Sequence, residues 1–167
     1  MPTINGRACV VNGRPVDKVF SNGKQVYGRN FAIASHASAS NTTGVDKTSI
    51  RKQLSEDLSG KVITTTAKVI VTNYQGKIDS NNGNGPFISI IDGFYTGNWT
   101  ALIDPISITG NGVYTSSPKT MTKNPLTGTA NMIGVQMYNL NATIEVWIKL
   151  ELGTTATQWT PAPEDVM

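Results

Sequence analysis

Few side chains in this sequence could perform acid–base or nucleophilic catalysis. His36 is the only histidine, and it lies in a stretch of Ala and Ser residues. A Ser-His-Asp or Cys-His nucleophile needs such a base within reach, but a solvated role is the simpler interpretation of this one. A glycosidase needs two carboxyl groups placed across a glycosidic bond, and nothing in the sequence pairs any two of Asp92, Asp104, Glu145 and Glu151. We therefore expect a protein that is not an enzyme.

Aromatic side chains with polar neighbours are better candidates, and their chemistry would be non-covalent binding. Saccharide sites use aromatic faces for the apolar side of a sugar ring, and amides or charged groups for its hydroxyls. One candidate site is the glycine-containing segment that carries Trp99 together with Tyr95 and Asn98. The alternative is that Trp99 begins the next strand and is buried. Tyr114 is a weaker candidate in another loop.

Trp147 belongs to a second candidate site. Strand alternation over 142–152 places it opposite the aliphatic face, beside Glu and Lys side chains. Residues 132–140 are predicted to form a hairpin with that strand, which brings Gln136 and Tyr138 to the same side. These three side chains would make an aromatic platform for a glycan. The alternative is that Trp147 lies beneath the N-terminal hairpins or a loop.

The composition indicates an all-β fold. Charged residues make up 15% of the chain, against a usual share of about 25%, while Thr, Ser and Asn are abundant. Residues 45–60 form the one helix-tolerant region. Short β-forming runs separated by turn residues favour a two-sheet antiparallel β-sandwich of the jelly-roll type. The runs after residue 60 are Val62–Thr72, Phe87–Ile91, Trp99–Ile103, Ile106–Thr109, Val113–Thr115, Lys119–Lys123, Met132–Leu140 and Ala142–Leu152.

Residues 1–30 are predicted to form a short β-hairpin attachment segment, which precedes a main domain over 31–167. Asn-Gly occurs three times, at 5–6, 12–13 and 22–23, and this dipeptide between β-formers is a strong hairpin signal. The segment carries five basic side chains against one acidic one. Such short strands bury little surface by themselves, so we expect the segment to pack either on the main domain or on a neighbouring chain.

Charge, cysteine content and hydropathy exclude several classes of protein. Beyond residue 30 the acidic residues slightly outnumber the basic ones, so a basic surface for nucleic acid is not expected. Cys9 is the only cysteine, which excludes an intrachain disulfide and a cysteine zinc cluster. No stretch has the length of a signal peptide or of a membrane span. We expect a protein made in a cytoplasm and not bound to a membrane.

Three segments resemble one family. The C-terminal run from Trp147 to Asp165 includes Lys-Leu-Glu-Leu-Gly and Trp-Thr-Pro-Ala-Pro-Glu-Asp, and it resembles the ending of carbohydrate-binding-module-like jelly rolls in phage tail proteins. Residues 58–69 resemble their early core strand. Residues 11–30 are similar to segments that precede such domains in tail and baseplate proteins of phages of lactic acid bacteria. Trp159 follows the last predicted strand and lies beside Pro161 and Pro163, so we expect it to pin the tail to the body.

The resemblance implies a jelly roll related to cellulose- and xylan-binding modules, located in the virion tail. It implies adhesion to host cell-wall polysaccharide, with other tail or baseplate proteins as partners. Many relatives carry a structural calcium ion, and Asp79, Asn81 and Asn82 bring hard oxygen ligands into one loop. Such Asn-Gly-rich loops usually bind no ion, so no cofactor is assigned. The alternatives are a structural tail component without sugar binding and, less favoured, a polysaccharide depolymerase.

Overall fold

The computed structural model describes residues 8–92, 99–125 and 131–166. Within these ranges the chain is built from short and long β-strands and ends in a 3-10 turn at Pro163–Asp165. The strands are β1 (Val10–Val11), β2 (Arg14–Pro15), β3 (Lys18–Ser21), β4 (Lys24–Gly28), β5 (His36–Asn41), β6 (Asp46–Gln53), β7 (Val62–Gly76), β8 (Phe87–Asp92), β9 (Thr100–Ala101), β10 (Ile106–Ser107), β11 (Gly112–Thr115), β12 (Lys119–Thr122), β13 (Met132–Tyr138) and β14 (Asn141–Leu152).

The main body is a jelly roll of two antiparallel sheets, as predicted. One sheet has the order β11-β7-β14-β5, with β12 also paired to β7, and is called the Trp147 sheet below. The other has the order β10-β8-β13-β6, with β9 also paired to β8, and is called the Tyr138 sheet. Strands β5 to β8 alternate between the sheets, and β5 pairs with β14, the last strand described. Each sheet thus joins strands that are far apart in sequence, which is the jelly-roll pattern.

The core lies between the two sheets. Alternate side chains of β14 point inwards, and all of them are fully buried from Ile144 to Leu150. They meet aliphatic side chains of β8 and β13, including Ile90 and Val135. Burial of each such side chain contributes about 1.5–3 kcal/mol to folding. The opposite faces of both sheets are therefore left to polar and aromatic residues.

The predicted hairpin between residues 132–140 and 142–152 is wrong. Strand β13 pairs with β6 and β8, whereas β14 pairs with β5 and β7. Residues 139–141 therefore carry the chain from one sheet to the other, and Leu140 is fully buried in the core at this crossing. The amide of Asn139 is also buried, and its Nδ2 donates to the backbone oxygens of Asp79 and Asn84.

The helix-tolerant region also adopts a different structure, since Asp46–Gln53 forms strand β6 at the edge of the Tyr138 sheet. Pairing with β13 and burial of Ile50 and Leu54 stabilise this segment as a strand. Tertiary contacts here override the weak local preference.

The N-terminal segment contains two of the three predicted Asn-Gly hairpins. Asn12-Gly13 joins β1 to β2 and Asn22-Gly23 joins β3 to β4, with positive φ at all four residues. The turn at residues 5–6 lies outside the described residues. Tyr27 of the second hairpin is fully buried, and the backbone N–H of Gly28 donates to Thr157 Oγ1 at 3.1 Å. This segment thus packs on the C-terminal tail. In the described ranges, no helix has the length and hydropathy to cross a membrane.

Candidate functional site

A row of three side chains crosses the outer face of the Trp147 sheet. The strand register places His36 of β5 and Lys68 of β7 directly beside Trp147 of β14. The His36 ring stacks on the Trp147 ring, with centroids 4.4 Å apart and planes inclined by 9°. On the other side, Lys68 Nζ lies 5.0 Å from the centroid of the Trp147 ring. The indole is thereby held in a fixed orientation and is half-buried.

Trp147 and Trp159 both line a cleft of about 460 Å³ on this face. The remaining lining is mainly hydroxyl and amide side chains from three parts of the chain: Thr66, Ala67 and Lys68 of β7, Thr115 and Ser116, and Thr157 and Gln158 of the tail. Trp159 also lines a neighbouring recess of about 360 Å³, together with His36 and Asp165. The cleft therefore combines two indoles with groups that donate and accept hydrogen bonds.

The C-terminal tail holds Trp159 in place. Its indole Nε1 donates to the backbone oxygen of Ile148 at 3.1 Å, so the tail is pinned to the body as predicted. The amide of Asn30 reinforces this attachment, because its Nδ2 donates both to Ile148 O and to Thr160 O, at 2.8 and 3.0 Å. One wall of the cleft thus depends on a buried polar network.

A buried lysine lies next to the cleft, beneath the tail. Lys149 is 1% exposed, and its Nζ donates to Thr157 Oγ1 at 2.7 Å and to Gln158 O at 2.5 Å. Burial lowers the pKa of Lys149 to about 8, although the nearby Glu151 carboxylate acts to raise it. Glu151 in turn accepts from the N–H and the hydroxyl of Thr157. These bonds position the tail segment that lines the cleft.

The lowered pKa of Lys149 leads to a testable pH dependence of stability. An unfolded lysine has a pKa of about 10.4, so between about pH 8 and 10.4 the unfolded chain binds more protons than the folded one. The free energy of unfolding therefore rises with pH across this window. Relative to Lys149→Met, we expect the wild type to gain about 2 kcal/mol between about pH 7.5 and 9.5, measured by urea unfolding at constant ionic strength. Parallel curves for the two proteins would contradict the assignment.

The other members of the predicted Trp147 platform lie on the opposite sheet. Tyr138 stacks on Phe87 with centroids 4.8 Å apart, and its hydroxyl accepts from Asn82 Nδ2 at 3.2 Å. Gln136 is buried, and its Nε2 donates to Asp46 Oδ1 at 2.8 Å. The prediction that these residues share a face with Trp147 is wrong, because it depended on the hairpin that does not form.

The first candidate site is described only in part. Trp99 is 54% exposed, which excludes the alternative in which it is buried, and it precedes β9 of the Tyr138 sheet. Tyr95 and Asn98 lie outside the described residues. Tyr114 belongs to strand β11 and packs on the core. Its hydroxyl accepts from the Gly110 N–H and donates to the Gly110 oxygen, so Tyr114 lies in a strand and not in the predicted loop.

The polar groups of the 79–86 loop are largely engaged within the protein. Asp79 Oδ1 accepts from the backbone N–H of Asn81, and Asn82 Oδ1 accepts from that of Asn84. The Lys77 ammonium donates to Asn82 O at 2.8 Å. Across the part of the chain that the structure describes, no three His, Cys, Asp or Glu side chains are grouped as metal ligands would be.

The sequence did not identify three residues of this region as site residues. Lys68 and Trp159 line the cleft, and His36 lines the neighbouring recess. His36 and Lys68 are 111 and 79 residues away from Trp147 in sequence, and only the pairing of β5 and β7 with β14 brings them together. Trp159 was assigned to packing alone, whereas it both pins the tail and lines the cleft. Alternation along the sequence could have placed Lys68 on the outer face of its strand. It could not have shown that this strand pairs with β14 beside Trp147.

Comparisons with known proteins add no family to this description. No family model matches the chain, and no match was found among curated proteins or solved structures.

Proposed function

We propose that this chain is a non-catalytic saccharide-binding module, and that its binding site is the cleft lined by Trp147 and Trp159. The observation that carries the proposal is the pair of half-buried indoles, one on the sheet and one on the tail that is pinned to it, which line a cleft of about 460 Å³ together with hydroxyl and amide side chains. A sugar ring presents C–H groups on one face and hydroxyls at its edge, and this cleft offers a partner for each.

The lining residues support this assignment in detail. Thr66, Thr115, Ser116 and Gln158 surround the indoles, and hydroxyl and amide groups both donate and accept hydrogen bonds. Trp147 is held by His36 and Lys68, so little side-chain freedom is lost when a ligand binds. Since His36 and Lys68 lie against the Trp147 ring, a ligand would meet the part of this indole that lines the cleft, together with Trp159.

We further propose that the module acts in phage adhesion to the host cell wall, within the tail or baseplate. This setting is supported by the resemblance of residues 147–165, 58–69 and 11–30 to phage tail domains. Weak binding at each site would be multiplied by the many copies in a tail. The partners would be host cell-wall polysaccharide and neighbouring tail proteins.

The direct test uses wall polysaccharide purified from lactic acid bacteria. We expect saturable binding in a titration, without release of reducing sugar during a long incubation. An increase in reducing ends would favour the depolymerase alternative. Absence of binding to every wall preparation would refute the adhesion proposal and favour a structural tail component.

A structural tail component is the second candidate, and the N-terminal hairpins favour it. Phe20 and Val11 are 61% and 55% exposed, and Arg14, Lys18 and Lys24 are basic residues of the same segment. Exposed apolar side chains among cations suit a contact with another protein. Under this candidate, Phe20→Ser should abolish incorporation into tails in a phage complementation assay, while Trp147→Ala should be incorporated normally. Normal incorporation of Phe20→Ser would contradict it.

A further inference from the structure

We propose that the Trp147–Trp159 cleft selects saccharides that carry an anionic substituent, a carboxylate or a phosphate, and that Lys68 is the residue responsible. This inference rests on the proposed function, because it names the class of saccharide that the same cleft would bind. It makes Lys68 a specificity-determining residue rather than a packing residue.

The strand register fixes where the Lys68 ammonium lies. Lys68 is paired across β7 with Trp147 on one side and with Thr115 on the other. Its Nζ lies 5.0 Å from the centroid of the Trp147 ring. Lys68 also lines the cleft together with both indoles, so a saccharide held there would place its substituents within reach of the ammonium.

The charges around the cleft leave this ammonium uncompensated. Lys68 is the one formally charged residue among those lining the cleft, and within the described ranges its Nζ has no hydrogen-bond or salt-bridge partner. Two carboxylates of strand β14 that share the parity of Trp147 already have hydrogen-bond partners. Glu145 Oε1 lies 2.6 Å from His36 Nε2, and Glu151 is buried and bonded to Thr157. An anionic group on the ligand would supply the missing partner.

Lys149 is a second cation close to the residues that line the cleft. Lys149 lies behind Thr157 and Gln158, where its ammonium is already bonded to both. It is buried and does not line the cleft, so its effect on a ligand is limited to a positive contribution to the local potential. A charge-assisted hydrogen bond from Lys68 beside a low-dielectric indole surface is stronger than one between neutral groups.

The test is a glycan array that contains oligosaccharides in matched sets: neutral, with a uronic-acid carboxylate, and with a phosphate ester. The wild type, Lys68→Met and Lys68→Arg are compared with Lys47→Met, which removes an exposed lysine on the Tyr138 sheet. We expect the acidic members to bind, with at least a tenfold loss of affinity in Lys68→Met and retention in Lys68→Arg. Lys47→Met should behave as the wild type, and added salt should weaken binding to the acidic members.

The outcomes separate this inference from the proposed function. Preference for either the carboxylate or the phosphate set, lost in Lys68→Met, supports the inference and identifies the source of the anion. Binding of neutral members alone, or of acidic members with no loss in Lys68→Met, overturns the inference and leaves saccharide binding intact. Binding to no glycan, with folding retained by circular dichroism, overturns the inference together with the proposed function.

Discussion

Replacement of Trp147 by alanine is expected to weaken binding of wall polysaccharide at least tenfold, which corresponds to about 1.4 kcal/mol. The indole lines the cleft at the centre of the row His36–Trp147–Lys68, and its removal also releases the His36 ring that stacks on it. The affected surface is the outer face of the sheet, and Trp147 is half-buried there. The fold should therefore be retained, as judged by circular dichroism, while isothermal titration measures the loss of affinity.

The matched control is Trp99→Ala. Trp99 is 54% exposed and precedes a strand of the Tyr138 sheet, so its loss should leave the affinity unchanged. Trp147→Phe, which keeps an aromatic face, should retain part of the binding. Loss of binding in Trp99→Ala with normal binding in Trp147→Ala would move the site to the segment that carries Tyr95 and Asn98.

Replacement of Asn30 by alanine is expected to lower the free energy of unfolding by about 4 kcal/mol, because several buried groups lose their partners at a cost of about 1–3 kcal/mol each. Asn30 is fully buried. Its Oδ1 accepts from the N–H groups of Ala32 and Leu150, at 3.2 and 3.1 Å. Its Nδ2 donates to the backbone of β14 and of the tail.

The measurement is urea unfolding of the variant beside Asn124→Ala. Asn124 is exposed, and its amide donates to Thr100 Oγ1, so its removal should cost less than about 0.5 kcal/mol. The melting temperature of Asn30→Ala should fall by about 10 °C. Equal stability of the two variants would show that the amide of Asn30 does not join the tail to the body.

Local sequence patterns predicted much of the fold. The Asn-Gly turns at 12–13 and 22–23 formed as expected because the dipeptide itself tolerates positive φ. Alternation in β14 correctly separated the buried Val146 and Ile148 from Trp147 on the outer face. Both signals are local, since they depend on one dipeptide or on one strand.

The features that the sequence could not determine are those that depend on strand pairing. A turn-like segment at 139–141 is compatible with a hairpin and with a crossing between sheets. Only the pairing of β13 and β14 with different strands distinguishes the two. The error moved Gln136 and Tyr138 to the wrong face of the predicted site. Lys68 and His36 were missed for the same reason, because their contacts with Trp147 cross two strand pairs that are far apart in sequence.

The central claim can be tested most directly through the three tryptophan indole N–H signals in a ¹H–¹⁵N correlation spectrum. The chain has three tryptophans, and single Trp→Phe variants assign their signals. During titration with oligosaccharides released from host wall polysaccharide, we expect the Trp147 and Trp159 signals to shift in a saturable manner while that of Trp99 stays in place. A saturable shift of the Trp99 signal alone, or of none of the three, would contradict the assignment of the Trp147–Trp159 cleft as the saccharide site.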